Sequence, residues 1–150
     1  MPLVVFPDNV GYPPTLPEDL TSDLGEVRHY NDLPDAEEFI RRSRDAEAMV
    51  WAWTRLTPTL LDACARLKVA SFMGVGVSDY IDLQYASSRG IVVCNTPHYG
   101  DDAVAEFTFA LLLALARKVR QADRSVREGR WEQGRLEGIG LLGKTMGVVG

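Results

Sequence analysis

Apolar residues recur along this chain at two different spacings, and the alternation between them predicts its elements. Four short runs, Leu3–Phe6, Ala48–Trp51, Val69–Phe72 and Ile91–Cys94, are apolar and largely β-branched or aromatic. Each stops at a turn signal: Pro7-Asp8, Ala52-Trp53-Thr54, Gly74-Val75-Gly76 and Asn95-Thr96-Pro97. Such runs read as buried strands. Gly25–Tyr30 alternates more weakly and reads as a further strand. Between the strands the spacing turns helical. Asp35–Arg42 opens on a cap residue, with its acids early and Arg41 and Arg42 late, the order a helix dipole favours. Thr57 caps a second helix with Pro58 at its first position, and Leu60, Leu61, Cys64 and Leu67 follow on one face. Ile81-Asp82-Leu83 leads into a short third helix that ends near Arg89-Gly90, where glycine can take the left-handed cap conformation. Pro7 to Pro17 holds four prolines and a glycine, so a loop is predicted there.

Strands alternating with helices over residues 1–97 predict an α/β domain with an open, doubly wound parallel sheet. Ligands collect at the carboxyl ends of such strands, where the loops Trp51–Thr54, Gly74–Tyr80 and Asn95–Asp102 converge on one crevice. From Asp101 or Asp102 a single long helix is predicted, with Val104, Phe107, Leu111, Leu115, Val119, Ala122 and Val126 as an apolar stripe. Its first half is apolar nearly all round and should be buried. Its second half carries Arg117, Lys118, Arg120, Arg124 and Arg127 and ends at Gly129, giving a face that could meet a partner subunit. Residues 98–143 thus read as a linking helix and arm, and 144–150 as the start of a new strand.

Composition narrows the classes. With 150 residues, 46% apolar, the chain can bury one ordinary core but not two, so one domain plus an appendage is expected. A net charge of −5 disfavours a nucleic-acid binder, and the basic half of the long helix has no interleaved aromatic platform. The densest apolar run, Phe107–Ala116, is too short to span a bilayer and is followed by Arg117 and Lys118. The first residues lack a basic export leader, so a soluble, cytoplasmic protein is expected. Cys64 and Cys94 sit in apolar segments without metal-ligand spacing and read as buried, reduced thiols, with no metal site.

Gly74-Val75-Gly76 invites a nucleotide-binding reading, but the position of the third glycine is Asp79, so the dinucleotide fingerprint fails. What remains is either a plain tight turn or a nest of backbone N–H groups able to hold a carboxylate. Gly147-Val148-Val149-Gly150 is likewise either an ordinary terminal strand or one whose last glycine begins a Gly-x-Gly-x-x-Gly loop.

Eight blocks in order resemble the D-isomer-specific 2-hydroxyacid dehydrogenase family. They are Leu67–Val69, Gly74–Gly76, Asp79–Leu83, Arg89–Val93, Asn95–Pro97, Val104–Glu106, Arg127–Trp131 and Gly143–Gly150, and the resemblance covers about residues 45–150. It implies a flavodoxin-like substrate domain, a long linking helix and the first strand of a Rossmann domain. It also implies an enzyme interconverting a 2-hydroxy and a 2-keto acid with NAD or NADP, and a homodimer. Carried over by position, the amides of Val75 and Gly76 would hold the substrate carboxylate, the loop bearing Trp53 would close over it, and Tyr99 would contact it. Two tryptophans in that loop point to a bulky or apolar substrate, unless Trp51 ends its strand in the core and only Trp53 is free. Asp101 and Val104 would lie near the nicotinamide, and Gly147 and Gly150 would open the cofactor loop. His98 has no neighbour in sequence to orient it as an acid or base, and Glu106 reads as a first-turn acid satisfying a helix terminus. The family's catalytic arginine, acid and histidine come from sequence beyond residue 150, so this chain is expected to be inactive alone and to expose apolar surface on the long helix and the last strand. A stand-alone carboxylate-binding module and a corepressor-like interaction protein of the same fold are the alternatives.

Overall fold

The computed structural model describes residues 1–11 and 21–149, and the predicted proline-rich loop lies outside the described residues from Tyr12 to Pro17. The described chain divides into two units, Met1–Tyr99 and Gly100–Gly150.

In the first unit the apolar runs form strands β1 (Leu3–Phe6), β3 (Ala48–Trp51), β4 (Val69–Phe72) and β5 (Val92–Cys94), and the weaker alternation forms β2 (Glu26–His29). All pairings are parallel, in the order β2-β1-β3-β4-β5. The chain moves outward from β1 in one direction to β2 and in the other to β3, so the strand order reverses between β1 and β3.

Among the described residues, three helices link the strands. Helix α1 (Ala36–Ser43) is capped by the Asp35 carboxylate, which accepts from Glu38 N at 2.8 Å. Helix α2 (Pro58–Ala63) starts on Thr57 with proline at its first turn, and α3 (Leu83–Ser88) starts on Asp82, which accepts from Tyr85 N at 2.9 Å. Gly90 follows α3 with φ +73°, the left-handed conformation its position predicts.

The core is built around Val5, Phe39, Met49, Trp51, Leu61 and Ala70, all essentially inaccessible. Trp51 tilts against Phe72 with ring centroids 5.2 Å apart, and Phe72 tilts against Tyr80 at 4.6 Å. The expectation that the later strands are apolar on both faces because both faces are covered fails for β5. It is an edge strand whose Val92 and Cys94 are exposed, so only Cys64 is a buried thiol. Burial pushes the Cys64 thiol up to about 11, leaving it unreactive at neutral pH.

Arg42, on α1, is buried although charged. Its guanidinium donates to Glu38 and Asp32 at 2.7 Å each and to the Pro7 carbonyl at 2.7 Å, and it lies 4.4 Å from the centre of the Tyr30 ring. A buried cation is tolerated only when its donors are used in this way. The arrangement ties α1 to the residue that follows β1.

In the second unit the single long helix of the sequence reading is two helices, α4 (Asp101–Ala116) and α5 (Val119–Arg127). The break falls at Lys118, which takes φ +53°. It comes with a contact distant along the chain: Ile139 N donates to the Ala116 carbonyl at 2.7 Å, so that carbonyl is used outside the helix ladder. A Cβ on Gly138 would stand 2.5 Å from the same oxygen, so the approach requires glycine. Nor is the apolar helix buried, since Phe107, Leu111 and Leu115 are all more than half exposed in the chain. Glu106 is in the second turn of α4, and the first-turn acids are Asp101 and Asp102. Residues 144–149 form no strand, because no neighbouring strand in this unit supplies the hydrogen-bond ladder that an isolated extended segment needs. Among the described residues no helix is long and apolar enough to cross a membrane.

The ion pairs on α1 make acid stability testable. Hydrogen bonds from Arg41 and then Arg42 hold the Glu38 carboxyl down at about 2, against an ordinary value of 4.5. A depressed carboxyl stabilises the fold fully above its unfolded value, and that contribution is lost as the pH falls through the folded one. Thermal unfolding followed by circular dichroism should therefore lose midpoint temperature between pH 4.5 and 2, and Glu38→Gln should flatten that limb while lowering the midpoint at pH 7. An identical acid limb in the variant would refute this role.

Candidate functional site

The loop after β3 is held by one carboxylate. Asp8, the second residue beyond β1, is fully buried, and its oxygens accept from the backbone N–H groups of Ala52 at 3.0 Å, Trp53 at 2.9 Å and Thr54 at 2.6 Å. A strand that runs past its neighbours leaves such N–H groups without ladder partners, and a buried carboxylate satisfies three at once. Trp53 is fixed a second time where its indole Nε1 donates to the Val10 carbonyl at 3.3 Å. The Pro7-Asp8 segment is gripped in turn by Arg42 through the Pro7 carbonyl.

The turn after β4 is fixed through its carbonyls. Thr96 N donates to Gly74 O at 3.1 Å, while Asn95 Nδ2 and Val77 N donate to Val75 O at 2.8 and 3.0 Å. In a planar trans peptide the C=O and the next N–H point in opposite directions. With both carbonyls engaged, the N–H groups of Val75 and Gly76 are turned away from the Asn95–Thr96 loop, and among the described residues neither has an acceptor. Gly74 is required for a steric reason: a Cβ there would stand 2.6 Å from the Phe72 ring.

These loops line an open cavity of about 240 Å³, bordered by Trp53, Phe72, Val75, Tyr80 and Tyr99 together with Met73 and Gly74. A larger hollow of about 720 Å³ runs from Thr57 to Leu83 past the starts of α2 and α3, but Thr57 and Asp82 already cap those helices.

Trp53, Val75 and Tyr99 are thus brought together on one cavity, with Gly76 the next residue in the same turn. All three side chains are at least half exposed. Trp51 is in the core, which decides the sequence ambiguity in favour of a single loop tryptophan. His98 adopts φ +67°, an uncommon conformation for a residue with a side chain. Asp101 and Val104 share the first turn of α4, where Val104 N donates to Gly100 O at 2.8 Å. Gly147 lies in an irregular exposed segment, and Gly150 is outside the described residues. Sequence reasoning missed Asp8, Phe72 and Tyr80. Asp8 was discoverable, since it follows a strand at the switch in strand order, but Pro7-Asp8 also reads as an ordinary turn.

Comparison with known proteins is consistent across sequence and structure. The family model for the D-isomer specific 2-hydroxyacid dehydrogenase catalytic domain matches residues 8–134. A D-3-phosphoglycerate dehydrogenase of Methanocaldococcus jannaschii is 39% identical over 132 residues, 87% of this chain and 25% of that protein. A glyoxylate reductase of Thermofilum pendens is 42% identical over 122 residues, 78% of this chain and 36% of that protein. Among solved structures, an acyclic imino acid reductase in complex with NADPH and D-Arg superposes with a TM-score of 0.81 at 30% identity, covering 91% of this chain and 44% of the other. A D-lactate dehydrogenase from Aquifex aeolicus, complexed with NAD and lactic acid, superposes at 0.74 with 25% identity, over 93% of this chain and 41% of that one. This chain therefore spans between a quarter and a half of the length of these four relatives.

Asp8→Asn tests the loop anchor. The amide would turn a donor toward one of three N–H groups, so stability should fall by roughly 2 kcal/mol. Hydrogen exchange at Ala52, Trp53 and Thr54 should quicken before exchange elsewhere in the sheet. Unchanged exchange at these amides would refute the assignment.

Proposed function

The chain belongs to the D-isomer specific 2-hydroxyacid dehydrogenase family, and from that premise we propose that it is the substrate-side part of a nicotinamide-dependent oxidoreductase interconverting a 2-hydroxy acid and a 2-keto acid. The observation that carries this reading is the pair of unengaged N–H groups at Val75 and Gly76, set beside an aromatic-walled cavity at the strand ends. Two adjacent backbone donors suit a carboxylate, and they cost no reorganisation because the Asn95–Thr96 loop already fixes their peptide planes. The strand order β2-β1-β3-β4-β5 supports reading Met1–Tyr99 as a flavodoxin-like substrate domain.

The nicotinamide group would accept or give the hydride, as NAD or NADP. Asp101, Val104, Gly147 and Gly150 are the positions proposed to meet it. Among the described residues, however, 144–149 supply no strand, glycine turn and following helix, so they do not by themselves build a pyrophosphate cradle. What these 150 residues are proposed to do is bind the organic acid, orient it against the aromatic wall and restrict water there. Proton transfer is assigned to the rest of the parent enzyme, and the exposed face of α4 with the basic side of α5 is proposed to serve its homodimer.

Gly76 allows a clean test, because its φ of −84° is close to that of proline and a Cβ there meets only Asp79 Oδ2, at 3.6 Å. In the full gene product, assayed by NADH or NADPH oxidation with 2-oxo acids, Gly76→Pro removes the N–H and should raise KM by about ten- to a hundredfold, the value of one charge-assisted hydrogen bond. Gly76→Ala, which keeps the N–H, should change KM little. Equal behaviour of the two variants would refute the carboxylate assignment, and residues 1–150 alone should not oxidise the cofactor.

A further inference from the structure

The character of the cavity wall goes further than the reaction class. Its side chains are Trp53, Phe72, Val75, Tyr80 and Tyr99, with Ala52 and Met73, and among the described residues no lysine, arginine or histidine lines it. The nearest cation in sequence, Arg55, lines the separate hollow against Thr57 and Asp82. Trp53 and Tyr99 line it and are 51% and 71% exposed, so large ring surface there is left uncovered among the described residues. Neither tryptophan nor wall is loose: Asp8 and the Val10 carbonyl fix the Trp53 loop, and Trp51 backs Phe72. A phosphate or second carboxylate set against these side chains would lose hydration and find no charge among them in return, which costs several kcal/mol. An uncharged hydrocarbon or aryl group would instead bury apolar area against rings already in place.

Resting on the reading of the chain as part of a 2-hydroxyacid dehydrogenase, we infer that the substituent at C3 of the substrate is uncharged and bulky, of the aryl or branched-alkyl class, with Trp53 as the side chain that selects it. The substrate so described differs from the phosphorylated one implied by the name of the Methanocaldococcus relative.

The test is steady-state reduction by the full gene product of phenylpyruvate, glyoxylate, oxaloacetate and 3-phosphohydroxypyruvate. Phenylpyruvate should exceed both oxaloacetate and 3-phosphohydroxypyruvate in kcat/KM by at least about tenfold. Trp53→Ala should lower kcat/KM for phenylpyruvate by about tenfold, mainly through KM, while changing glyoxylate by less than about threefold, and Trp53→Phe should restore most of the loss. A preference for the phosphorylated or dicarboxylic acid would overturn the inference and leave the reaction class standing. So would an equal loss on all four substrates in Trp53→Ala, since that marks a merely structural side chain. Absence of turnover with every 2-oxo acid would overturn the reaction class itself, and this inference with it.

Discussion

One buried carboxylate organises the candidate site. Asp8 leaves β1 at the place where the strand order reverses, and its two oxygens take the three N–H groups with which the chain departs from β3. Burying a carboxylate is costly unless donors surround it, and here the donors belong to the loop that carries Trp53. The anchoring runs one step deeper, because Arg42 holds the Pro7 carbonyl on one side and Glu38 and Asp32 on the others. A surface helix is thereby coupled to the cleft through hydrogen bonds of Arg42 and Asp8. Apolar packing gives the sheet its stability, and this polar chain gives the cleft its shape.

Most of the first unit was legible in the sequence because each of its elements carries its own local signal. The runs Leu3–Phe6 and Val69–Phe72 are bounded by turn residues, and Asp35, Thr57 and Asp82 cap the helices they precede. What was not legible depends on contacts distant along the chain. The helix break at Lys118 follows from Ile139 taking the Ala116 carbonyl, an event no periodicity within Asp101–Arg127 encodes. Val92 and Cys94 share one face of edge strand β5 and are exposed there, a matter of what covers that face and not of the strand's own pattern. The segment 144–149 has the pattern of a strand but no partner strand in its unit, and pattern alone does not make a ladder.

The site divides in the same way. Trp53, Val75, Gly76 and Tyr99 were marked by position in a family pattern, and the loops bring three of them onto one cavity. Their chemistry depends on residues the pattern does not single out. Asn95 and Thr96 turn the peptide planes of Val75 and Gly76, and Phe72 and Tyr80 back the wall. A site of this kind is made of backbone donors and ring faces, so few of its residues are titratable and no cluster of acids or histidines announces it.

The contact between Gly74 and Phe72 links two positions whose histories cannot be independent. The ring fills the space a Cβ would take, and it is packed against Trp51 and Tyr80. Enlarging residue 74 therefore displaces or shrinks residue 72, and either change alters a panel of the cavity. Drift in this turn is therefore channelled: the bend and the chamber beside it can only be remodelled together.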